Sequence, residues 1–196
     1  MIETSAAASG TALATPPASS PFPLQGRPLS WQIGAVILGT LFLALSSYIK
    51  VPMLPVPMTM QTFAVTLVGA LMGWRLGGLT IVAWLAEGAL GLPVLSGGAA
   101  GLQHFVGPTG GYLLAFPIAG MLVGWLAQRG WNGRRVGLAF AAMLLGNVTC
   151  LVLGAAWLST LVGFDKALMV GVVPFLAGAV VKSALGAATL KVLARG

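Results

Sequence analysis

The chain has 196 residues, of which 58% are hydrophobic and only 7% charged, whereas an ordinary soluble domain carries about 25% charged residues. That balance excludes a soluble globular fold and leaves room, after a polar N-terminal stretch, for about six membrane-crossing helices of roughly 20 apolar residues each. Ten Lys and Arg against three Asp and Glu give a net charge of +7, but the cations stand between apolar runs, which fits membrane topology better than nucleic-acid binding.

Residues 1–28 are rich in Ala, Ser, Thr and Pro and lack the apolar surface that would repay ordering, so a disordered tail is expected there. A secretory signal is not expected there, because Glu3 stands where a basic region belongs and no apolar segment of about 7–15 residues follows. Residues 29–196 form the expected membrane domain. Its first span covers about 30–49, with Trp31 and Tyr48 placed as interfacial anchors. A short second span covers about 60–73 and a third about 77–91. The fourth covers about 112–128 and the fifth about 136–161, each set off by Gly, Pro or cations. The sixth starts at Pro174, because a residue without an N–H suits the first helical turn. That leaves 162–173 as a loop with a short amphipathic turn.

Lys and Arg collect on the cytoplasmic side of a membrane protein. Arg27, Arg75, Arg129, Arg134, Arg135, Lys191 and Arg195 fall on one side of the alternating spans, against Lys50 and Lys166 on the other, with Lys182 inside the sixth span. Both termini are therefore expected in the cytoplasm. The outer loops are then 50–59, 92–111 and 162–173. The first holds Pro52, Pro55 and Pro57 among apolar residues, which forbids a helix and favours an extended lid. The second carries Gly97, Gly98, Gly101, Gly107, Gly110 and Gly111, residues that let backbone bend sharply and approach a ligand. Irregular backbone at membrane depth requires protein or a water-filled cavity around it, so a pocket near the outer surface is expected.

Several chemistries lack residues. One Cys and one His supply neither an internal disulfide nor a local metal motif, and Cys150 in an apolar run reads as a small buried hydrophobe. Ser96 and His104 share a loop without a third orienting group. No enzyme activity, metal or cofactor is expected. No phosphate-binding loop occurs either, so any nucleotide-driven work needs another chain. Small residues four apart, Ala35 with Gly39, Gly69 with Gly73 and Gly120 with Gly124, allow close helix packing within the chain or against a partner.

Lys182 is the strongest candidate for ligand contact, because a lysine well inside a span costs about 2.5–3.5 kcal/mol on insertion and usually marks a site. A structural pair with Glu87, or extension of Lys182 to the interface, are the other readings. Thr59 and Gln61 bring a hydroxyl and an amide to the junction of the lid and the second span, where Thr59 is equally suited to helix capping. Ser96, with Gly97 and Gly98, offers a hydroxyl and backbone amides. Tyr112 offers a ring and a hydroxyl at the mouth of the fourth span, or an interfacial anchor. Asn147 is read as an interhelical hydrogen-bonding group.

Three segments, Val56-Pro57-Met58-Thr59-Met60-Gln61-Thr62-Phe63, Gly91-Leu92-Pro93-Val94 and Gly107-Pro108-Thr109-Gly110-Gly111-Tyr112-Leu113-Leu114, together with Pro174-Phe175-Leu176 and Lys182, resemble the BioY family. The resemblance implies an all-α, six-helix S component of an energy-coupling-factor (ECF) transporter in the cell (inner) membrane. It implies biotin as ligand, captured from outside, and as partners a transmembrane T component and paired ABC ATPases. By the same resemblance Ala35 and Gly39 on the first helix are candidates for docking the T component. Biotin carries a carboxylate for Lys182, and ureido N–H groups for which Glu87 is a candidate acceptor. Ala177 and Ala179 stand where the family commonly has Pro and Asp, and Leu151 where it has Tyr. The alternatives are an S component for another small carboxylated vitamin, a stand-alone biotin transporter, and a non-transporting membrane assembly protein.

Overall fold

The computed structural model describes residues 28–195, so the tail expected over 1–28 lies almost wholly outside the described residues. The described chain is helical apart from one small hairpin and the loops. Its order is α1 (Leu29–Tyr48), β1 (Lys50–Val51), β2 (Met58–Thr59), α2 (Gln61–Ala89), α3 (Gln103–Val106), α4 (Gly110–Gln128), α5 (Val136–Val162), α6 (Phe164–Gly171) and α7 (Phe175–Leu193). Five of these helices, α1, α2, α4, α5 and α7, are long and apolar enough to cross a membrane.

α2 unites the second and third expected spans. Only Gly73 is non-helical inside it, at φ 77 and ψ 173, a conformation that glycine adopts without steric cost. The two arms, 61–72 and 74–89, fold back on each other. A Cβ on Gly77 would lie 3.0 Å from the Cα of Gly69, and Gly120 faces both Val65 and Ile81, pairs that a straight helix would hold far apart. The connector expected at 74–76 is therefore helical, and one glycine makes the whole reversal.

α4 closes against this folded helix along a glycine seam. A Cβ on Gly69 would collide with the Gly120 carbonyl oxygen, and one on Gly124 would sit 2.6 Å from the Trp74 nitrogen and 2.7 Å from the Gly69 oxygen. Small residues let helix backbones meet in a bilayer, where apolar side chains gain nothing by leaving lipid for protein. Trp84, Ile81, Val65 and Ala119 fill the fully buried centre, and Trp84 Nε1 donates to the Val94 oxygen at 3.0 Å, which satisfies its polar edge. The first helix leans on the same core, with Gly39 against Thr80 and Met72. α5 and α7 complete the other side around Met143, Ala187 and Leu190.

The loops depart from expectation in detail. The segment 50–59 is extended, as its prolines require, but it is a hairpin: Lys50 pairs with Thr59 and Val51 with Met58, and the Met60 N–H reaches the Ile49 oxygen at 3.0 Å. The pairing uses residues that flank the prolines and still have N–H donors. The loop 92–111 includes the one-turn α3 and a turn closed by a bridge between Leu95 and Ala99. The segment 162–173 forms α6, an eight-residue helix longer than the single turn expected. α7 begins immediately after Pro174, its N-cap.

Candidate functional site

A cavity of about 300 Å³ opens at the end of the bundle where α2, α4 and α7 begin. The hairpin forms one wall through Lys50, Pro55, Val56, Pro57 and Thr59, and the loop 95–109 forms another through Ser96 and His104. Tyr112 and Phe116 of α4, Asn147 and Cys150 of α5, and Phe175, Ala179 and Lys182 of α7 supply the interior. The volume is at the lower end of the range for sites that enclose a small molecule.

Lys182 is 8% exposed. Its Nζ donates to the Thr59 carbonyl oxygen and to the Thr62 hydroxyl oxygen, each at 2.9 Å. These bonds solvate the ammonium but do not neutralise it, and no Asp or Glu is among the described residues lining the cavity. Lys50, at the hairpin base, adds a second cation to the same wall. A cavity with two ammonium groups and no carboxylate favours an anionic ligand.

Ser96 brings an unmet polar group. Its Oγ is buried without a hydrogen-bond partner, alone in this among the described side chains, and the residue lines the cavity. Buried hydroxyls are nearly always bonded, and leaving one unmade costs about 1–3 kcal/mol. A ligand atom that exchanges a hydrogen bond with Ser96 would remove that cost.

Thr59 and Gln61 line the cavity but are tied to each other and to α1. Thr59 Oγ1 donates to Gln61 Oε1 at 2.9 Å, the Gln61 N–H donates back to Thr59 Oγ1 at 3.3 Å, and Gln61 Nε2 donates to Ser47 Oγ at 3.0 Å. The set fixes the hairpin on the start of α2 and leaves the remaining Gln61 amide hydrogen for other partners. Tyr112 donates its hydroxyl to the Gly171 oxygen at 2.8 Å and stacks on Phe175 with ring centroids 6.3 Å apart. A Cβ at Gly154 would collide with that ring. Tyr112 therefore offers the cavity an apolar face, with its proton committed to α6.

Five of the expected residues, Glu87, Gly97, Gly98, Ala35 and Gly39, lie outside the cavity lining. Glu87 is half-buried on the second arm of α2 and is absent from the cavity wall, because Trp84 and Gly88, which flank it, turn toward Val94 and Leu95. Lys182 donates instead to Thr59 and Thr62. Gly97 and Gly98 are also off the wall. Their positive φ values, 66 and 82, make a turn whose amides bond back into the protein, Gly97 to the Ser47 oxygen and Gly98 to the Leu95 oxygen, each at 2.9 Å. On α1, Gly39 is buried against Thr80 and Met72 of α2, and Ala35 packs half-buried on the same core. The side of α1 left open carries Ile33, Ile37, Leu41 and Leu45.

Lys50 and Thr62 also line the cavity, outside the residues expected there from the sequence. Lys50 reads from the sequence as a topology cation, although it begins the proline-rich segment. Thr62 stands in the first turn of α2, where its hydroxyl and the Thr59 carbonyl oxygen both accept from Lys182. Asn147 has its interhelical bond, Nδ2 to Ser183 Oγ at 3.2 Å, and lines the cavity as well.

Comparison with known proteins bears on this arrangement. The family model described as "BioY family" matches residues 18–196. A relative from Pyrococcus horikoshii, named "Probable biotin transporter BioY", is 41% identical over 152 residues, covering 76% of this chain and 89% of the relative. "Biotin transporter BioY" of Rhizobium etli is 36% identical over 147 residues, covering 71% of this chain and 78% of that protein. A crystal structure at 2.1 Å, titled as the S-component for biotin from an ECF-type ABC transporter, aligns with a TM-score of 0.76 at 25% identity, covering 87% of this chain and 95% of its own.

Proposed function

The chain belongs to the BioY family, and on that premise we propose how it serves as the biotin-binding S component of an ECF-type transporter. It is a multi-pass protein of the cell membrane that works with a T component and ABC ATPases. The observation that carries the assignment of its site is the buried ammonium of Lys182, held by Thr59 and Thr62 in a cavity without a carboxylate. Biotin is a small monoanion with a polar ureido ring and an apolar thiophane and chain. Its carboxylate is assigned to Lys182, its ring and chain to the faces of Tyr112, Phe116 and Phe175, and a polar contact to Ser96.

The hairpin is the lid. Lys182 on α7 donates to Thr59 at the hairpin's end, so a ligand drawing on that ammonium acts directly on the element that closes the site. A ligand shifts such an equilibrium only through its differential affinity for the closed form. The cavity end is assigned to the outer face and both termini to the cytoplasm. This is supported by Arg75, Arg129, Arg134, Arg135, Lys191 and Arg195 at the far end, against Lys50 and Lys166 near the cavity. The open side of α1, with Ile33, Ile37, Leu41 and Leu45 exposed, is assigned to the T component in place of Ala35 and Gly39.

The test is equilibrium binding of radiolabelled biotin to the purified full chain, with Lys182→Ala and Lys182→Gln compared after both pass a thermal-unfolding check. Hydrogen bonds to charged groups contribute about 1.5–3 kcal/mol, so a folded variant loses roughly 10- to 150-fold in affinity. Undiminished binding by both folded variants overturns the placement of the carboxylate. No binding by folded wild type overturns capture by the chain alone.

A further inference from the structure

The end of the bundle opposite the cavity carries a feature that biotin capture does not use. The guanidinium of Arg129 lies 3.7 Å from the centroid of the Trp125 ring and that of Arg75 lies 4.9 Å from the Trp74 ring. The two pairs come from neighbouring backbones, since a Cβ on Gly124, next to Trp125, would sit 2.6 Å from the Trp74 nitrogen. The loop after α4 is clamped beside them. Asn132 Nδ2 donates to the Ala127 oxygen at 3.4 Å and Asn132 Oδ1 accepts from the Arg134 N–H at 3.2 Å, while Gly133 meets the Leu190 carbonyl in the last turns of α7. This brings Arg134 and Arg135 to the same end as Lys191 and Arg195, and all six cations are exposed. Asp165 and Glu87, the acids of the described chain, belong to the cavity end.

We propose that this face is a binding site for the headgroups of anionic phospholipids, with Arg75 and Arg129 as the oriented donors. A guanidinium lying on an indole keeps its in-plane N–H groups free for phosphate oxygens and loses little freedom on binding them. Trp side chains take the depth where headgroups meet hydrocarbon, so the stacked arginines stand at phosphate level. The charge arrangement selects an anionic headgroup, since a zwitterionic one brings its own cation into a face that already has six. An acidic segment of a partner subunit would meet the same charge, but the Trp-stacked geometry at headgroup depth favours lipid.

The test uses the full chain in mixed micelles of phosphatidylcholine and phosphatidylglycerol, with retained lipids counted by native mass spectrometry and soluble glycerol phosphate added as a competitor. Wild type is expected to retain phosphatidylglycerol over phosphatidylcholine, with glycerol phosphate unable to displace it at equal concentration. Arg75→Gln and Arg129→Gln are each expected to lower that preference roughly five-fold, the effect of about one surface charge at an anionic membrane. Trp125→Leu keeps the charge and releases the guanidinium, and is expected to lower it less. Lys166→Gln removes one charge from the other end and is expected to change nothing. Thermal unfolding of each variant reports its fold, so the lipid result stands whether or not the site assigned to Lys182 is correct. Equal retention of both lipids, displacement by glycerol phosphate, or an equal effect of Lys166→Gln overturns the proposal. So does unchanged lipid preference in both arginine variants, and loss of ATPase-partner assembly alongside that unchanged preference would assign the face to protein.

Discussion

α2 and α4 each have two characters along their length. At their first turns they present Gln61, Thr62, Tyr112, Leu113 and Phe116 to a cavity. Further along, the same helices touch through Gly69, Gly120 and Gly124, where a single added carbon would strike backbone. The first region lines a cavity of about 300 Å³. The second has no space for a methyl group. In a bilayer helices gain no hydrophobic energy by associating, so the fit of backbone on backbone must hold them. Confining that fit to one half leaves the other half free to hold an incomplete polar set that a ligand completes.

The largest effect expected from breaking this division is in the seam. Gly69→Val sets a branched side chain against the Gly120 carbonyl, and backbone on two helices cannot move aside as a flexible side chain would. Overpacking typically costs about 1–3 kcal/mol and sometimes more, and this site belongs at or above the top of that range. The measurement is thermal unfolding of the purified variant in detergent, with biotin binding lost together with the fold. A variant that melts like wild type would mean that the seam carries little of the stability and that the contrast between the two halves is false. Lys182→Ala gives the reverse pattern, a loss of affinity with the fold kept.

Much of this division was legible in the sequence, for reasons that differ by residue. The spans of α1, α4, α5 and α7 followed from apolar runs whose length is dictated by the bilayer, and Pro174 marked the start of α7 because it lacks a donor. Lys182 stood out because a cation in an apolar run is costly anywhere but a site. Gly73 did not announce a reversal, since its conformation is set by Gly69, Gly77 and Gly124 meeting around it, and no local pattern encodes such neighbours. Glu87, Gly97 and Gly98 were expected at the ligand for their chemistry alone, and the side each faces is decided by distant contacts from Trp84 to Val94 and from Gly97 to Ser47. Lys50 and Thr62 have the chemistry, and only the same long-range packing brings them to the cavity. Composition locates a site along the chain, whereas long-range packing decides which residues turn into it.

A smaller effect separates the halves more sharply. Ser96→Ala removes an oxygen that has no hydrogen-bond partner among the described residues, so the unliganded protein should melt close to the wild-type temperature. Biotin affinity should fall roughly 2- to 10-fold, as for one neutral hydrogen bond of about 0.5–1.5 kcal/mol. Lost affinity with stability kept is the signature of a group that serves its ligand. A lowered melting temperature would instead show that Ser96 bonds within the protein and belongs with the structural half.

The smallest effect expected is none. Glu87 is four residues after Ala83 and one before Gly88 on an arm whose buried side holds Trp84, Leu85 and Gly88, and the carboxylate is absent from the cavity wall. Glu87→Gln removes charge without changing shape, and surface substitutions of this kind usually stay within about 0.5 kcal/mol. Biotin affinity should therefore remain within about twofold of wild type, measured beside Lys182→Ala in the same detergent. A clear loss would require the carboxylate to reach the ligand after a rotation of that arm about Gly73. The glycine seam would then be a hinge as well as a clamp, and the separation between the packed half and the binding half would fail at the residue that makes the turn.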